Sequence, residues 1–184
     1  MPVITPICDF GKRAKSFELK STNSEIIKLN DVKGASGTLV MFICNHCPYV
    51  KAVIKDIVED CKNLEKHGVK AVAICSNDSI NYPEDSFDKM IEFHKDHNFN
   101  FPYLLDKTQV VAKNYDAVCT PDFFGYNKNL ELQYRGRIRE LKNLKPIKSR
   151  ESDLFNAMKE ISKTGRGPEE QTPSMGCGIK WLNN

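Results

Sequence analysis

The sequence has no apolar stretch long enough to cross a membrane. Its longest uninterrupted apolar run, Leu39 to Cys44, is far shorter than the roughly 20 residues that a membrane span needs. The N-terminal segment also lacks the basic start, apolar middle and small-residue cleavage site of a secretory signal. We therefore expect a soluble, cytoplasmic protein that has no membrane partner.

The net charge is also small, and the sequence has no internal repeat. The net charge of the 184 residues is only +3, and the basic run at residues 135–150 lacks the interleaved aromatic residues and reader motifs of nucleic-acid binders. No segment of about 20 to 50 residues repeats. We therefore expect no nucleic-acid partner and a single domain, with a core over about residues 17–164 and a tail over residues 165–184.

Cysteine, in contrast, is abundant. Seven cysteines, an odd number in a chain without an export signal, argue against a framework of disulfides and leave metal binding, redox chemistry and packing. Cys61 lies on an apolar helix face, Cys75 ends an apolar strand, and Cys8 has no partner motif. We assign these three thiols to packing.

A buried strand leads directly into an amphipathic helix near the middle of the first half. Residues 38–44 (TLVMFIC) are apolar throughout, which is typical of a strand covered on both faces. From Pro48, apolar residues recur at the three-four spacing of one helix face until near Gly68. Residues 69–75 (VKAVAIC) predict a second buried strand.

The rest of the chain continues to alternate strands and helices. The pattern predicts a helix over Ser86 to His97, a strand in FPYLLD, a short helix from Thr108 to Tyr115 capped by Asp106, an antiparallel hairpin over about residues 123–136, and a helix over about residues 152–163. This order predicts an α/β fold, in which a parallel sheet with an added hairpin has helices on both faces.

Two cysteines lie where the first buried strand ends and the long helix begins, as CNHCP. Ligands of open α/β sheets bind at this position, and the positive end of the helix dipole favours a thiolate there. Because Pro48 suits the first helical position, Cys47 falls at or beside the N-cap and is the better-activated thiol. Cys44 lies one loop upstream and can close a disulfide with Cys47, so the CxxC pair indicates redox chemistry.

Other residues are candidates for supporting roles. A protonated His46 would stabilise a neighbouring thiolate, but a solvent-facing histidine without a role is the alternative. The Thr120–Pro121 bond could be cis and shape a substrate groove, or it could belong to an ordinary turn. Cys119 and Cys177 are candidate third thiols, with packing and anchoring of the C-terminal tail as their alternatives.

Four motifs occur in order along the chain: FICNHCPYVK, CTPDFFGY, YRGRI and QTPSMGCGIKW. Together they resemble the peroxiredoxin-like branch of the thioredoxin superfamily, often labelled alkyl hydroperoxide reductase or thiol-specific antioxidant type. The resemblance covers nearly the whole chain. It implies a thioredoxin-like α/β fold with a central mixed sheet flanked by helices, an N-terminal extension and a C-terminal tail. It also implies that Pro121 is a cis-proline facing the cysteines.

The resemblance assigns the nucleophile as well. Counting from Phe42, both the thioredoxin nucleophile and the peroxidatic cysteine of peroxiredoxins fall on Cys47, whereas the resolving cysteine of thioredoxin falls on Val50. The peroxiredoxin motif P-x-x-x-T/S-x-x-C would require Pro at Val40 and Thr or Ser at Cys44, and this sequence has neither.

Peroxiredoxins also bring an arginine to the site from a late strand. Arg135 and Arg137 are the candidates for that cation, and solvated arginines at the end of a strand are the alternative that the sequence alone favours.

We therefore expect a cytoplasmic thiol-disulfide oxidoreductase or peroxiredoxin-like antioxidant. Cys47 would attack a disulfide-containing protein or a hydroperoxide, Cys44 would resolve the intermediate, and an unidentified thiol would supply electrons, with no dissociable cofactor. The alternative is a non-enzymatic protein in which Cys44, Cys47 and either His46 or Cys177 hold zinc or copper. A second CxxC or an HxxxH, typical of structural zinc sites, is absent from the sequence.

Overall fold

The computed structural model describes residues 2–148 and 151–182. Its strands are β1 (Pro2–Ile4), β2 (Glu18–Ser21), β3 (Ile26–Lys28), β4 (Gly37–Phe42), β5 (Val69–Cys75), β6 (Tyr103–Leu105), β7 (Cys119–Thr120), β8 (Asp122–Asn127), β9 (Leu132–Tyr134), β10 (Leu141–Lys142), β11 (Lys145–Pro146) and β12 (Met175–Gly178). Its helices are α1 (Pro48–Glu65), α2 (Phe87–Asp96), α3 (Val110–Asn114) and α4 (Asp153–Thr164). Within the described ranges, no helix is both long and apolar enough to span a bilayer.

One mixed sheet of seven strands forms the centre of the molecule, in the order β3-β2-β6-β5-β4-β8-β9. Strands β4, β5 and β6 run parallel, whereas β8 is antiparallel to β4 and β9 is antiparallel to β8. The predicted α/β fold with an added hairpin is confirmed. The N-terminal hairpin of β2 and β3 also joins this sheet, through β6.

Strand β4 separates two apolar cores. Leu39 and Met41 belong to the core that includes buried side chains of α1 and α4. Val40 and Phe42 belong to the core on the other face, which includes Val111 of α3. The uninterrupted apolar pattern of this strand therefore reflects burial on both faces, as predicted.

The long helices begin where the sequence predicts. Cys47 is the N-cap residue of α1 and Pro48 occupies its first turn. At α4, the Ser152 hydroxyl accepts a hydrogen bond of 3.1 Å from the Phe155 N–H. This contact satisfies one of the backbone donors that a helix N-terminus leaves free.

The prediction that Asp106 is the N-cap residue of the short helix α3 is wrong. The helix is shorter than predicted and begins after Gln109, which adopts a left-handed conformation at φ 62°. The Asp106 carboxylate instead accepts hydrogen bonds of 2.9 Å from the Ala112 N–H and the Ser76 hydroxyl. Asp106 therefore satisfies the N–H of the third residue of α3, as a capping side chain does, from a position before the N-cap, and it also links α3 to the end of β5.

The segment predicted to be a polar tail contains a strand. β12 lies between β1 and β7 and is antiparallel to both. A Cβ added at Gly176 would lie 2.1 Å from the Thr120 carbonyl oxygen, so only glycine permits this close approach. The pairing brings Cys177 directly opposite Thr120.

Candidate active site

The two cysteines of the CxxC pair lie at the carboxyl end of β4 and the amino end of α1. Cys47 caps the helix, and Cys44 lies in the loop just before it, as predicted. Their exposed fractions are 0% and 1%, so both thiols are covered by protein. All seven cysteines of the chain are free thiols.

The Thr120–Pro121 peptide bond is cis, as predicted, and contacts the pair. The Cys47 Sγ lies 3.1 Å from the Thr120 carbonyl oxygen, to which the protonated thiol donates. The Cys44 Sγ lies 3.3 Å from the Thr120 hydroxyl oxygen. Thr120 therefore contacts both sulfur atoms, and the alternative of an ordinary turn is wrong.

The surroundings give the two thiols opposite acidities. A hydrogen bond from the Cys44 thiol lowers the pKa of Cys47 to about 5, and the Val50 N–H and the Thr120 side chain also stabilise its thiolate. The same hydrogen bond, followed by burial and the charge of Asp85, raises the pKa of Cys44 well above its usual range. These opposite shifts favour a thiolate at Cys47 and a thiol at Cys44.

Cys177 is a third thiol at the site. Its side chain is close enough to that of Cys47 for each to shift the other's pKa, and it is only half-buried, whereas the other two thiols are fully covered. Burial, and then the neighbouring Cys47, raise the pKa of Cys177 to about 11. The strand pairing of β12 accordingly gives Cys47 two thiol neighbours, Cys44 and Cys177.

The remaining cysteines have the features of packing residues. Cys119 is fully buried, its Sγ lies 3.7 Å from the Pro121 carbonyl oxygen, and burial raises its pKa. Cys61 and Cys75 lie within the core that includes α1 and α4, and Cys8 packs against the core on the other face of the sheet. These positions agree with the packing assigned to Cys8, Cys61 and Cys75, and they favour packing over a redox role for Cys119.

His46 is anchored by a buried carboxylate and is not a free loop side chain. Its Nδ1 lies 2.7 Å from the Oδ2 of Asp85, whose side chain is fully buried. Asp85 also accepts 2.8 Å hydrogen bonds from the Asn45 N–H and the Asn77 amide. The His46 ring stacks on Tyr82, with the two ring planes 6° apart. Asp85 therefore fixes the loop between the cysteines.

Asp85 is the site residue that the sequence analysis missed. It ends a short 3-10 turn, Pro83–Asp85, some 40 positions after the CxxC, and no motif marks it. A buried, charged residue is recognisable only from its surroundings, because charged side chains in turns are usually exposed.

Three potential metal ligands also meet here. One ligand atom each from Cys44, His46 and Asp85 lies within 4.8 Å of the others. Thiolate, imidazole and carboxylate are the ligand types of zinc. However, both Asp85 oxygens already accept hydrogen bonds, one of them from the His46 ring. The set also differs from the predicted one, because Asp85 takes part in place of Cys47 and Cys177.

The two candidate arginines form ion pairs. Arg135 is only 6% exposed, and its Nη2 lies 2.9 Å from the carboxylate of Asp122. The Nε of Arg137 lies 2.6 Å from the carboxylate of Asp153. The interpretation of both as solvated strand-end residues is therefore wrong for Arg135. The last two residues of the basic run, 149 and 150, lie outside the described residues.

A cavity of about 400 Å³ opens beside the cis-proline. Its lining includes Tyr49 of α1, Pro121, Arg137, Leu144 and Met175 of β12. The lining is mostly apolar and contains a cation. The cavity borders the site at Pro121, and the site's three thiols are not among its lining residues.

The chain is similar to a known protein family and to solved structures. The model of the AhpC/TSA family matches residues 10–141. The crystal structure of an uncharacterized conserved protein from Geobacillus kaustophilus is 39% identical, covers 100% of this chain and 98% of its own, and superposes with a TM-score of 0.94. A hypothetical protein from Sinorhizobium meliloti is 33% identical over 98% of each chain, with a TM-score of 0.90.

A more distant structure identifies the fold. The thioredoxin domain of a thiol-disulfide oxidoreductase from Bacteroides vulgatus has 14% identity, covers 73% of this chain and 89% of its own, and gives a TM-score of 0.58. The predicted thioredoxin-like fold is thus confirmed. No curated protein matches the sequence significantly.

Proposed function

The chain belongs to the AhpC/TSA family of peroxiredoxin-like thiol oxidoreductases, and from this premise we propose that its Cys44/Cys47 pair cycles between a dithiol and a disulfide. The observation that supports the proposal most strongly is the position of Cys47, whose surroundings lower its pKa to about 5. This residue caps α1, accepts a hydrogen bond from Cys44, and contacts the residue before the cis-proline. A low-pKa thiolate beside a second thiol is the arrangement that disulfide exchange requires.

In the first step, the Cys47 thiolate attacks one sulfur of a substrate disulfide. A bond forms between Cys47 and that sulfur, the substrate S–S bond breaks, and the other substrate sulfur leaves as a thiolate. With a pKa of about 5, Cys47 is ionised at neutral pH and needs no separate base.

In the second step, Cys44 resolves the mixed disulfide. Once Cys47 is bonded to the substrate, it is no longer a thiolate, so the main cause of the raised pKa of Cys44 disappears. Cys44 then loses its proton and attacks the Cys47 sulfur, which expels the remaining substrate thiolate. The substrate has gained two electrons, and the protein holds a Cys44–Cys47 disulfide that an external thiol must reduce.

A hydroperoxide is the second class of substrate. The Cys47 thiolate would attack a peroxide oxygen to give a sulfenic acid and release an alcohol, and the Cys44 thiol would then condense with it and release water. The motif positions that serve peroxide in peroxiredoxins hold Val40, which is buried in the core, and Cys44 itself. We therefore propose disulfides as the preferred substrates.

Metal binding is the second candidate function, because Cys44, His46 and Asp85 meet at the site. Zinc or copper would have to displace the hydrogen bond between His46 and Asp85. Metal analysis of protein purified under reducing conditions tests this candidate. A stoichiometric metal that is lost in His46→Ala would support it, and metal-free protein that turns over disulfides would contradict it.

The proposed function is tested by locating the adduct formed with oxidised glutathione. We expect Cys47→Ser to form no adduct, because no thiolate remains at the helix N-terminus, and Cys44→Ser to form, as its first product, an adduct with glutathione on Cys47. Cys8→Ser is the control and should react as the wild type does, because Cys8 packs away from the site. Mass spectrometry of digested protein reads the site, and an adduct on Cys44 in Cys47→Ser at the wild-type rate would refute the assignment.

A further inference from the structure

The proposed disulfide would be difficult to reduce directly, because its two sulfur atoms are enclosed. Cys47 and Cys44 have exposed fractions of 0% and 1%. Thiol exchange requires an in-line approach of one sulfur to another, so the residues that cover the pair must move aside before any external sulfur, from substrate or reductant, reaches it. A half-buried sulfur beside Cys47 gives the reductant a route that does not need this movement.

Cys177 has the position that such a route requires. The Cys177 and Cys47 side chains are close enough to shift each other's pKa, and Cys177 is half-buried. The contact is built by the fold, since Cys177 lies opposite Thr120 in the pairing of β12 with β7, and Gly176 permits their close approach. Thr120 in turn contacts Cys47.

Two exposed apolar side chains lie on the strand pair that carries Cys177, and the charge of Lys180 also acts on its thiol. Met175 lies two residues earlier on β12 and therefore on the same face of the strand as Cys177. Met175 is 44% exposed, and its cross-strand neighbour Ile4 is 60% exposed. Exposed apolar side chains around a half-buried thiol suit contact with a protein better than contact with a small charged thiol.

On the basis of the proposed function, we propose that Cys177 is the exit thiol of this site. By this we mean that a dithiol protein reduces the oxidised Cys44/Cys47 pair by reacting with the sulfur of Cys177.

The transfer begins with an internal exchange. The Cys177 thiolate attacks the Cys47 sulfur, the Cys47–Cys177 bond forms, and the Cys44–Cys47 bond breaks. Cys44 takes up the proton that Cys177 gives up, so the number of electrons and protons in the protein does not change. The result is a disulfide with one half-buried sulfur, at Cys177.

The external dithiol then completes the reduction. One of its thiolates attacks the Cys177 sulfur and expels Cys47, which is a good leaving group because its pKa is about 5. The second thiol of the partner attacks the first, releases Cys177 as a thiol and leaves as a disulfide. The partner has lost two electrons, and all three protein thiols are reduced.

The lifetime of the glutathione adduct on Cys47 tests this role directly. In Cys44→Ser, we expect Cys177 to displace glutathione and give a Cys47–Cys177 disulfide that mass spectrometry detects as a linked peptide pair. In the double variant Cys44→Ser/Cys177→Ser, the adduct should persist at least about tenfold longer. Cys44→Ser/Cys8→Ser is the matched control, because Cys8 is also half-buried and its pKa is also raised to about 11.

Reduction by a protein tests the choice of partner. Each oxidised protein is reduced with thioredoxin, and the reaction is followed through the NADPH that thioredoxin reductase consumes. We expect wild type and Cys8→Ser to be reduced at least about tenfold faster than Cys177→Ser. Equal rates for Cys177→Ser and wild type would overturn the proposal. Reduction by glutathione alone, with no response to thioredoxin, would overturn the choice of a dithiol protein.

The outcomes separate the two proposals. An adduct that persists equally in Cys44→Ser and in the double variant refutes the role of Cys177 but leaves Cys47 as the nucleophile. The absence of any adduct on Cys47 in every variant refutes the proposed function itself, and with it the exit thiol.

Discussion

Cys44 and Cys47 carry the same side chain, yet their neighbours give them opposite acidities. Cys47 receives hydrogen bonds from the Cys44 thiol, the Val50 N–H and the Thr120 side chain, which together outweigh the cost of burying a thiolate. Cys44 donates one of those bonds and lies near the Asp85 carboxylate, so it holds its proton. The single negative charge of the pair is thereby located on the helix N-cap.

Asp85 should be important for stability as well as for the site. Asp85→Ala leaves the Asn45 N–H, the Asn77 amide and the His46 ring without their acceptor, so we expect the free energy of unfolding to fall by roughly 2–4 kcal/mol. Denaturant unfolding measures this loss. Asp96→Ala, at an exposed carboxylate, is the control and should change the free energy by less than about 0.5 kcal/mol. Equal effects of the two substitutions would contradict the role of Asp85.

At the scale of elements, the sequence predicted those helices and strands whose position depends on residues close together in the chain. The apolar run of β5 and the spacing and proline of α1 reproduce the observed strand and helix start. The pairing of β12 was not predictable, because it depends on Gly176 meeting a backbone more than 50 residues away. The role of Asp85 was not predictable either, because its burial depends on partners in the loop of the CxxC and after β5.

The fit of β12 can be tested with its two glycines. We expect Gly176→Ala to push the strand away from Thr120 and lower the free energy of unfolding by about 1–3 kcal/mol, because the added Cβ would lie 2.1 Å from the carbonyl oxygen. Alkylation of Cys177 should become faster at the same time. At Gly178 the nearest atom to an added Cβ is a Val3 methyl at 3.4 Å, so Gly178→Ala should be tolerated. Equal alkylation rates in both variants would contradict this account of the strand.

At the scale of the whole molecule, the two halves of the chain meet at buried polar contacts as well as in the sheet. Asp60 of α1 accepts a hydrogen bond from Ser152, the residue that caps α4. Burial raises the pKa of the Asp60 carboxyl to about 6, against the opposing effects of Ser152 and Arg139. The junction of α1 and α4 is therefore sensitive to pH.

Asp60 should make the stability of the protein fall as the pH rises from about 4 to about 6. Its pKa is higher in the folded state than its ordinary value of 3.8, so the folded state binds the proton more tightly, and that advantage is lost once Asp60 ionises. The loss amounts to about 3 kcal/mol. Asp60→Asn does not titrate and should show no such contribution. Unfolding curves of both proteins across this range give the difference, and parallel pH profiles would contradict the prediction.

The central claim, a thiolate at Cys47, is tested most directly by titrating thiolate absorbance in the ultraviolet, which needs no reagent to reach the buried sulfur. The difference between wild type and Cys47→Ser isolates this residue. The structure predicts a transition near pH 5, because the bond from Cys44 stabilises the ionised form. A transition at or above the ordinary thiol value near pH 9, or no difference between the two proteins, would contradict it.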